Sequence, residues 1–306
     1  AAAGGGDFMV PYSCLTIAGA GAYYPSIEPV EEYKSFFKSL RLPAGMRKDA
    51  AVSLVLSFPS YFWTFDLINM PGRHFRLFKR LARFFTAANV QYDIGVLGDG
   101  DYLEDSFNLS KSRSLLVIPH MRFATQRHIE LLLEFLERGG RAALVGDAPE
   151  FDFEYEKLKK NPFSRLRPGE NSFGGGVLFW IDRAPGPYER DRAGARWQTD
   201  LMREAGRNNE GAPPVTIEPA PGVAAKIYRA GRSRFIHLLN QSYDKKSDSF
   251  RPAPQMKIGL DASIAGAARI FTPEDGEKEL KIRKGRSGSV VRVPGFKIYS
   301  LLRLDQ

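Results

Sequence analysis

The sequence predicts an α/β flavodoxin-like doubly wound parallel sheet followed by a small antiparallel β-sandwich. Two observations carry this. From Ala50 onward, short apolar β-rich runs alternate with segments of helical period, the pattern of a parallel sheet wound with right-handed crossovers. After Asn208 the helical period stops, and short β-rich segments separated by turn residues take over.

The elements follow in order. Ala51–Phe58 is a β-rich apolar run, and Arg73–Ala88 places Phe78, Leu81, Ala82 and Phe85 on one helical face. Val90–Leu97 contains the second strand. Ser114–Pro119 is the third, continuous in its hydrophobicity as a strand covered on both faces should be. Thr125 caps a helix with Ile129, Leu132, Leu133 and Leu136 inward and Gly139 at the stop. Arg141–Val145 and Gly176–Ile181 supply the fourth and fifth strands, and Ala195–Ala205 a closing helix. The residues between these strands, Glu150 to Phe173, read as an irregular insertion, and Ala212–Gly222 as a linker. Seven β segments then run from Ala224 to Leu304. The expected division is 1–49, an incomplete N-terminal segment with a helix carrying Val30, Tyr33, Phe37 and Leu40; 50–210, the α/β domain; and 213–306, the sandwich.

Composition narrows the function classes. The 306 residues are 43% hydrophobic, enough for sizeable cores, which excludes a mainly disordered, collagen-like or coiled-coil chain. The net charge of +9 permits an anionic partner without requiring one. The single cysteine, Cys14, excludes an intrachain disulfide or a cysteine-cluster metal site. The apolar stretch Phe8–Tyr24 is broken by Pro11, Ser13, Thr16 and glycines, so no membrane span is expected. Without an initiator Met or a basic start, the N-terminus reads as processed or truncated upstream. The cellular compartment stays open.

Several stretches together resemble a known family. They are the helix ending Glu137-Arg138-Gly139-Gly140-Arg141, the strand at Gly174-Gly175-Gly176-Val177, the helix ending Arg203-Glu204-Ala205-Gly206, the run Phe235–Asn240 and the closing Val293–Ser300. The chain resembles the C-terminal half of β-galactosidase-like multidomain glycoside hydrolases: a glutamine-amidotransferase-like, trimerisation-type domain and then a β-sandwich. The opening Ala3–Tyr12 is similar to the end of their catalytic barrel. The resemblance implies a non-catalytic accessory portion that supports oligomerisation and closes a sugar cleft, with a homo-oligomer or a missing N-terminal catalytic domain as its partner. It also implies that Asp7 is at most a contact at the rim of that cleft.

The chemistry of the residues stands beside this. An amidotransferase needs a nucleophilic Cys at a strand-to-helix elbow. The matching positions read Pro119-His120-Met121-Arg122 and Gly146-Asp147-Ala148-Pro149, with no Cys or Ser. The loop Phe58–Asp66 is too bulky to cradle a phosphate, so no nucleotide cofactor is expected. In that loop Tyr61 and Trp63 can stack on sugar faces with Asp66 accepting hydroxyls, or form an aromatic plug against a neighbouring domain. Asp147 and Glu150 follow the fourth strand and are the carboxylates best placed for a hydrolytic pair, or are solvated loop acids. His74, His120, His128 and His237 are dispersed without ligand spacing, so no metal is expected. The arginines of 183–207 are interleaved with acids, against nucleic-acid binding. The alternatives to an accessory portion are therefore a free-standing hydrolase using loop carboxylates, or a carbohydrate-binding module.

Overall fold

The structure is a computed structural model that describes residues 35–64, 73–101, 103–106, 115–182, 196–207 and 215–305, the last without 245, 248, 262–263, 265 and 286–287. The chain divides into two compact units. One joins residues up to Asp49 with those from Pro213 on, and the other is Ala50–Ala212. The first strand, β1 (Arg47–Lys48), belongs to the former. No helix among the described residues is long and apolar enough to cross a membrane.

The α/β unit runs β2 (Val52–Ser57), α1 (Phe58–Thr64), α2 (Arg73–Ala87), β3 (Tyr92–Leu97), β4 (Leu115–Pro119), α3 (Gln126–Glu137), β5 (Arg141–Val145), β6 (Gly169–Phe173), β7 (Gly176–Ile181) and α4 (Arg196–Arg207). Its sheet has the order β3-β2-β4-β5-β7-β6. All pairings are parallel except the hairpin of β6 with β7. Taking the parallel strands alone in chain order gives 2-1-3-4-5, the flavodoxin-like winding.

Alternation along the strands divides the core into two layers. Val52, Leu54, Val117, Ala143 and Val145 meet Leu77, Leu81 and Phe85 of α2 and Trp197 and Leu201 of α4. Val55, Leu116, Ile118, Ala142 and Leu144 meet Ile129, Leu132, Phe135 and Leu136 of α3. Each valine, leucine, isoleucine or phenylalanine among them contributes roughly 1.5–3 kcal/mol on burial, so these two layers are what hold the unit together. Helix α3 starts at Thr125, whose hydroxyl accepts from His128 N–H at 3.2 Å, while His128 Nδ1 accepts from Thr125 N–H at 3.4 Å. Histidine thus takes the place of the usual Glu in a capping box. The helix stops at Gly139, whose φ of +90° suits glycine.

Three expectations need correction. Phe58–Thr64 is a helix, not a loop: Pro59 stands in its first turn, where a missing N–H costs nothing. The insertion after β5 is partly regular, with a 3₁₀ turn at Pro162–Arg165 and the edge strand β6. Gly169–Phe173 carries one apolar residue, because an edge strand need not be covered. Part of the presumed linker beyond Asn208 is the short strand β8 (Val215–Ile217), paired with Ile258–Leu260.

The sandwich unit continues with β9 (Val223–Ala230), β10 (Ser233–Asn240), the small hairpin β11 (Tyr243–Asp244) and β12 (Ser249–Phe250), β13 (Met256–Leu260), β14 (Ala268–Thr272), β15 (Gly276–Leu280), β16 (Ile282–Gly285), β17 (Gly288–Val293) and β18 (Tyr299–Leu304). A six-stranded sheet β1-β9-β10-β18-β14-β15 and a four-stranded sheet β16-β17-β13-β8 share a core of Ile227, Ile236, Leu238, Ile258, Leu260, Ile270, Val291 and Leu302. All their pairings are antiparallel. The outer face of the larger sheet, with Tyr228, Phe235, Tyr299 and Leu301, is packed by Phe36, Phe37, Leu40, Leu42 and Met46. Phe37 and Leu40 of the expected N-terminal face therefore do turn inward; Val30 and Tyr33 lie outside the described residues.

Candidate functional site

In an open α/β sheet the strand order reverses at one point, and ligands bind in the crevice beyond the strand ends there. In this sheet that point lies between β2 and β4. Most of the crevice floor is built from hydrogen bonds that serve the backbone. His74, on the inward stripe of α2 with Phe78, Leu81 and Phe85, is completely buried. Its Nε2 lies 3.0 Å from Ser57 N–H, so it accepts there. Its Nδ1 lies 2.7 Å from the Pro119 carbonyl, so it carries the proton and donates. One neutral tautomer thus ties the ends of β2 and β4, and burial lowers its pKa to about 4. Ser60 Oγ donates to Phe123 O at 2.8 Å and accepts from Phe123 N–H at 3.0 Å. Ser57 Oγ donates to the same carbonyl at 3.3 Å. Both serines are buried and engaged, so neither stands as a nucleophile.

The carboxylates sit beside this floor. Gly146, at the end of β5, has φ +90°, and a Cβ there would collide with the His120 ring. His120 itself adopts φ +32°, a left-handed conformation uncommon outside glycine. Its Nδ1 lies 3.1 Å from Asp147 N–H and 3.3 Å from Asp147 Oδ2, and can serve only one of them at a time. Arg73 stands 4.0 Å from the same oxygen. Hydrogen bonding with His120 is the main reason that Asp147 titrates below the usual carboxylate range, with Arg73 and Arg122 adding to it. An acid held ionised cannot donate a proton to a leaving group. Glu150 answers a different cation, Arg122, at 3.4 Å. It is held there because the segments after β4 and β5 pair, Glu150 N–H donating to Arg122 O at 2.9 Å.

The third part is aromatic. Trp63 stacks on Phe123 with centroids 6.0 Å apart and meets Tyr155 edge-on at 5.5 Å. Its indole N–H donates to Phe153 O at 2.8 Å. Tyr61 lies on the other side of α1, edge-on to Phe75 at 5.5 Å. Helix α1 and the loop after β5 are thus joined through rings.

Of the residues singled out in the sequence, Trp63, Asp147 and Glu150 stand on this side of the sheet, each with its own partners. Tyr61 faces α2. Asp7 and Asp66 lie outside the described residues. Sequence reasoning named His74 only as a histidine without ligand spacing, and gave no role to the rings of the insertion. His74 was findable, since positions 74, 78, 81 and 85 share one helical face. Phe151, Phe153 and Tyr155 were overlooked because the surrounding Lys, Arg, Pro and Gly marked the segment as an irregular insertion. Among the described residues no cluster of three or more His, Cys, Asp or Glu side chains can hold a metal ion.

No family profile and no curated protein matches the sequence. In fold, the chain matches solved β-galactosidases. The GH42 enzyme Gan42B from G. stearothermophilus aligns with 92% of this chain and 44% of its own, at 12% identity and TM-score 0.60. The β-galactosidase of Bacillus circulans sp. alkalophilus aligns with 94% and 48%, at 12% identity and TM-score 0.60. That of Rahnella sp. R3 aligns with 90% and 44%, at 14% identity and TM-score 0.60. The chain spans less than half the length of each. Its α/β unit and β-sandwich therefore have the fold of the C-terminal portion of GH42 β-galactosidases.

Proposed function

We propose that this chain serves as an accessory, non-catalytic portion of a β-galactosidase-like glycoside hydrolase, supporting oligomerisation and the assembly of a sugar cleft. The observation that carries this reading is the extent of the fold match: nine-tenths of the chain is used, against less than half of each β-galactosidase. The chemistry of the crevice is in keeping with it. Glycoside hydrolysis needs one carboxyl group kept protonated beside a second acid, whereas Asp147 is held ionised and Glu150 is paired with Arg122.

Two measurements on the full chain test the reading. Light scattering after size exclusion should find an oligomer, and nitrophenyl β-galactoside should not be turned over. A tidy monomer would count against the assembly role. Turnover that Asp147→Asn or Glu150→Gln abolishes would establish a free-standing hydrolase instead.

A further inference from the structure

The aromatic side of the α/β unit is built in a way that core packing does not require. Phe62, Trp63 and Tyr155 are 43%, 37% and 51% exposed although all three touch other rings. Tyr155 holds its position at a cost. Its φ of +67° is a true outlier for a bulky residue. The turn that imposes it is closed by Asp152, whose carboxylate accepts from Glu154 N–H at 3.1 Å and Glu156 N–H at 2.8 Å. A strained residue that presents half of its ring to water is not explained by burial.

We propose that this ridge, with the Arg122–Glu150 pair beside it, binds a neutral saccharide. Three features select that ligand. The ring planes are fixed by edge and stacking contacts and by the indole N–H bond, so they offer rigid faces to the apolar side of a pyranose. Polar groups that can meet hydroxyls stand one ring away: the Arg122 guanidinium lies 5.2 Å from the Phe151 centroid, and the Phe151 and Tyr155 rings are 5.0 Å apart. Arg122 and Glu150 neutralise each other at 3.4 Å, which favours an uncharged ligand over a phosphate or a uronate. Size argues against a protein partner. With roughly 150–250 Å² per aromatic ring, the three exposed portions amount to about 300 Å², well under the ~800 Å² per partner of a stable interface. The proposal stands independently of the accessory role, because it concerns a surface and not the assembly.

The test titrates the full chain with lactose, cellotetraose, xylotetraose and mannotetraose at millimolar concentrations, followed by calorimetry and tryptophan fluorescence. Saturable binding to at least one sugar is expected. Trp63→Ala should weaken it about tenfold or more, and Trp63→Phe by less, since a smaller ring still stacks. Tyr155→Gly separates binding from folding: glycine suits φ +67°, so the thermal midpoint should hold while sugar affinity falls. Silence across the panel would overturn the proposal, as would binding that neither Trp63→Phe nor Tyr155→Gly changes. Self-association that Tyr155→Gly abolishes would overturn it too, assigning the ridge to a second copy.

Discussion

Each unit buries one histidine deeply enough to lower its pKa to about 4, yet the two are held in opposite ways. In the α/β unit His74 has both ring nitrogens bonded to backbone, one to Ser57 and one to Pro119. In the sandwich the His237 ring accepts its one hydrogen bond among the described residues from the Tyr299 hydroxyl, at 2.7 Å from Nδ1, while its Nε2 has no hydrogen-bond partner among them. Burial also pushes the Tyr299 phenol upward, so that hydroxyl stays protonated and able to donate. The difference teaches that the same burial can serve two ends. His74 does backbone work at a point where two strands diverge. His237 fills space on the outer face of a sheet whose own ladder is already complete.

Three experiments sharpen this contrast, taken from the strongest effect to the weakest. The first is acid. Both histidines titrate lower in the folded chain than the ordinary 6.5, so the unfolded chain binds more protons between about pH 6.5 and 4. Their stabilising contribution is complete above that window and lost as pH falls through it, each on the order of 3 kcal/mol. Denaturant titrations across the window should show stability rising with pH; a flat profile would refute the neutral buried assignments. The second is His74→Leu, which leaves the Ser57 N–H and Pro119 carbonyl buried without partners. At about 1–3 kcal/mol for each orphaned group, a loss of roughly 2–5 kcal/mol is expected, with hydrogen exchange accelerated at the ends of β2 and β4. The third is His237→Leu. It orphans only the buried Tyr299 hydroxyl and also removes a nitrogen that had no partner, so the loss should be about 1–2 kcal/mol, smaller than for His74→Leu. Equal losses for the two leucine variants would erase the distinction.

Much of the fold was legible because periodicity reports burial. The runs at 52–57, 115–119 and 141–145 are mostly apolar on both faces since helices cover both sides of the sheet. The segments 223–230 and 233–240 were visible because their β-rich runs are bounded by turn residues. What escaped had no such signature. β6 lies on an edge with a single phenylalanine, and β8 has only three residues. Helix α1 was hidden by aromatics, which lose side-chain freedom in a helix and here form one through contacts with α2 and the loop after β5. The site was less legible than the fold. Residue type pointed to Trp63, Asp147 and Glu150, but only coordinates show that Asp147 is tied to His120 and that Glu150 is matched to Arg122. The partners come from other strands and loops, and spacing along the chain carries no trace of them.

The pairing of β1 with β9 has a consequence for how the polypeptide is made. Arg47 lies opposite Arg229, and Lys48 opposite Tyr228, so the outermost strand of the larger sheet leaves the ribosome well before its neighbour exists. All of residues 50–212 must be translated in between. The intervening α/β unit can therefore complete itself first, while Phe36, Phe37 and Met46 wait for the surface they will cover. Nascent-chain proteolysis should find that waiting stretch cleavable until β9, β10 and β18 have emerged.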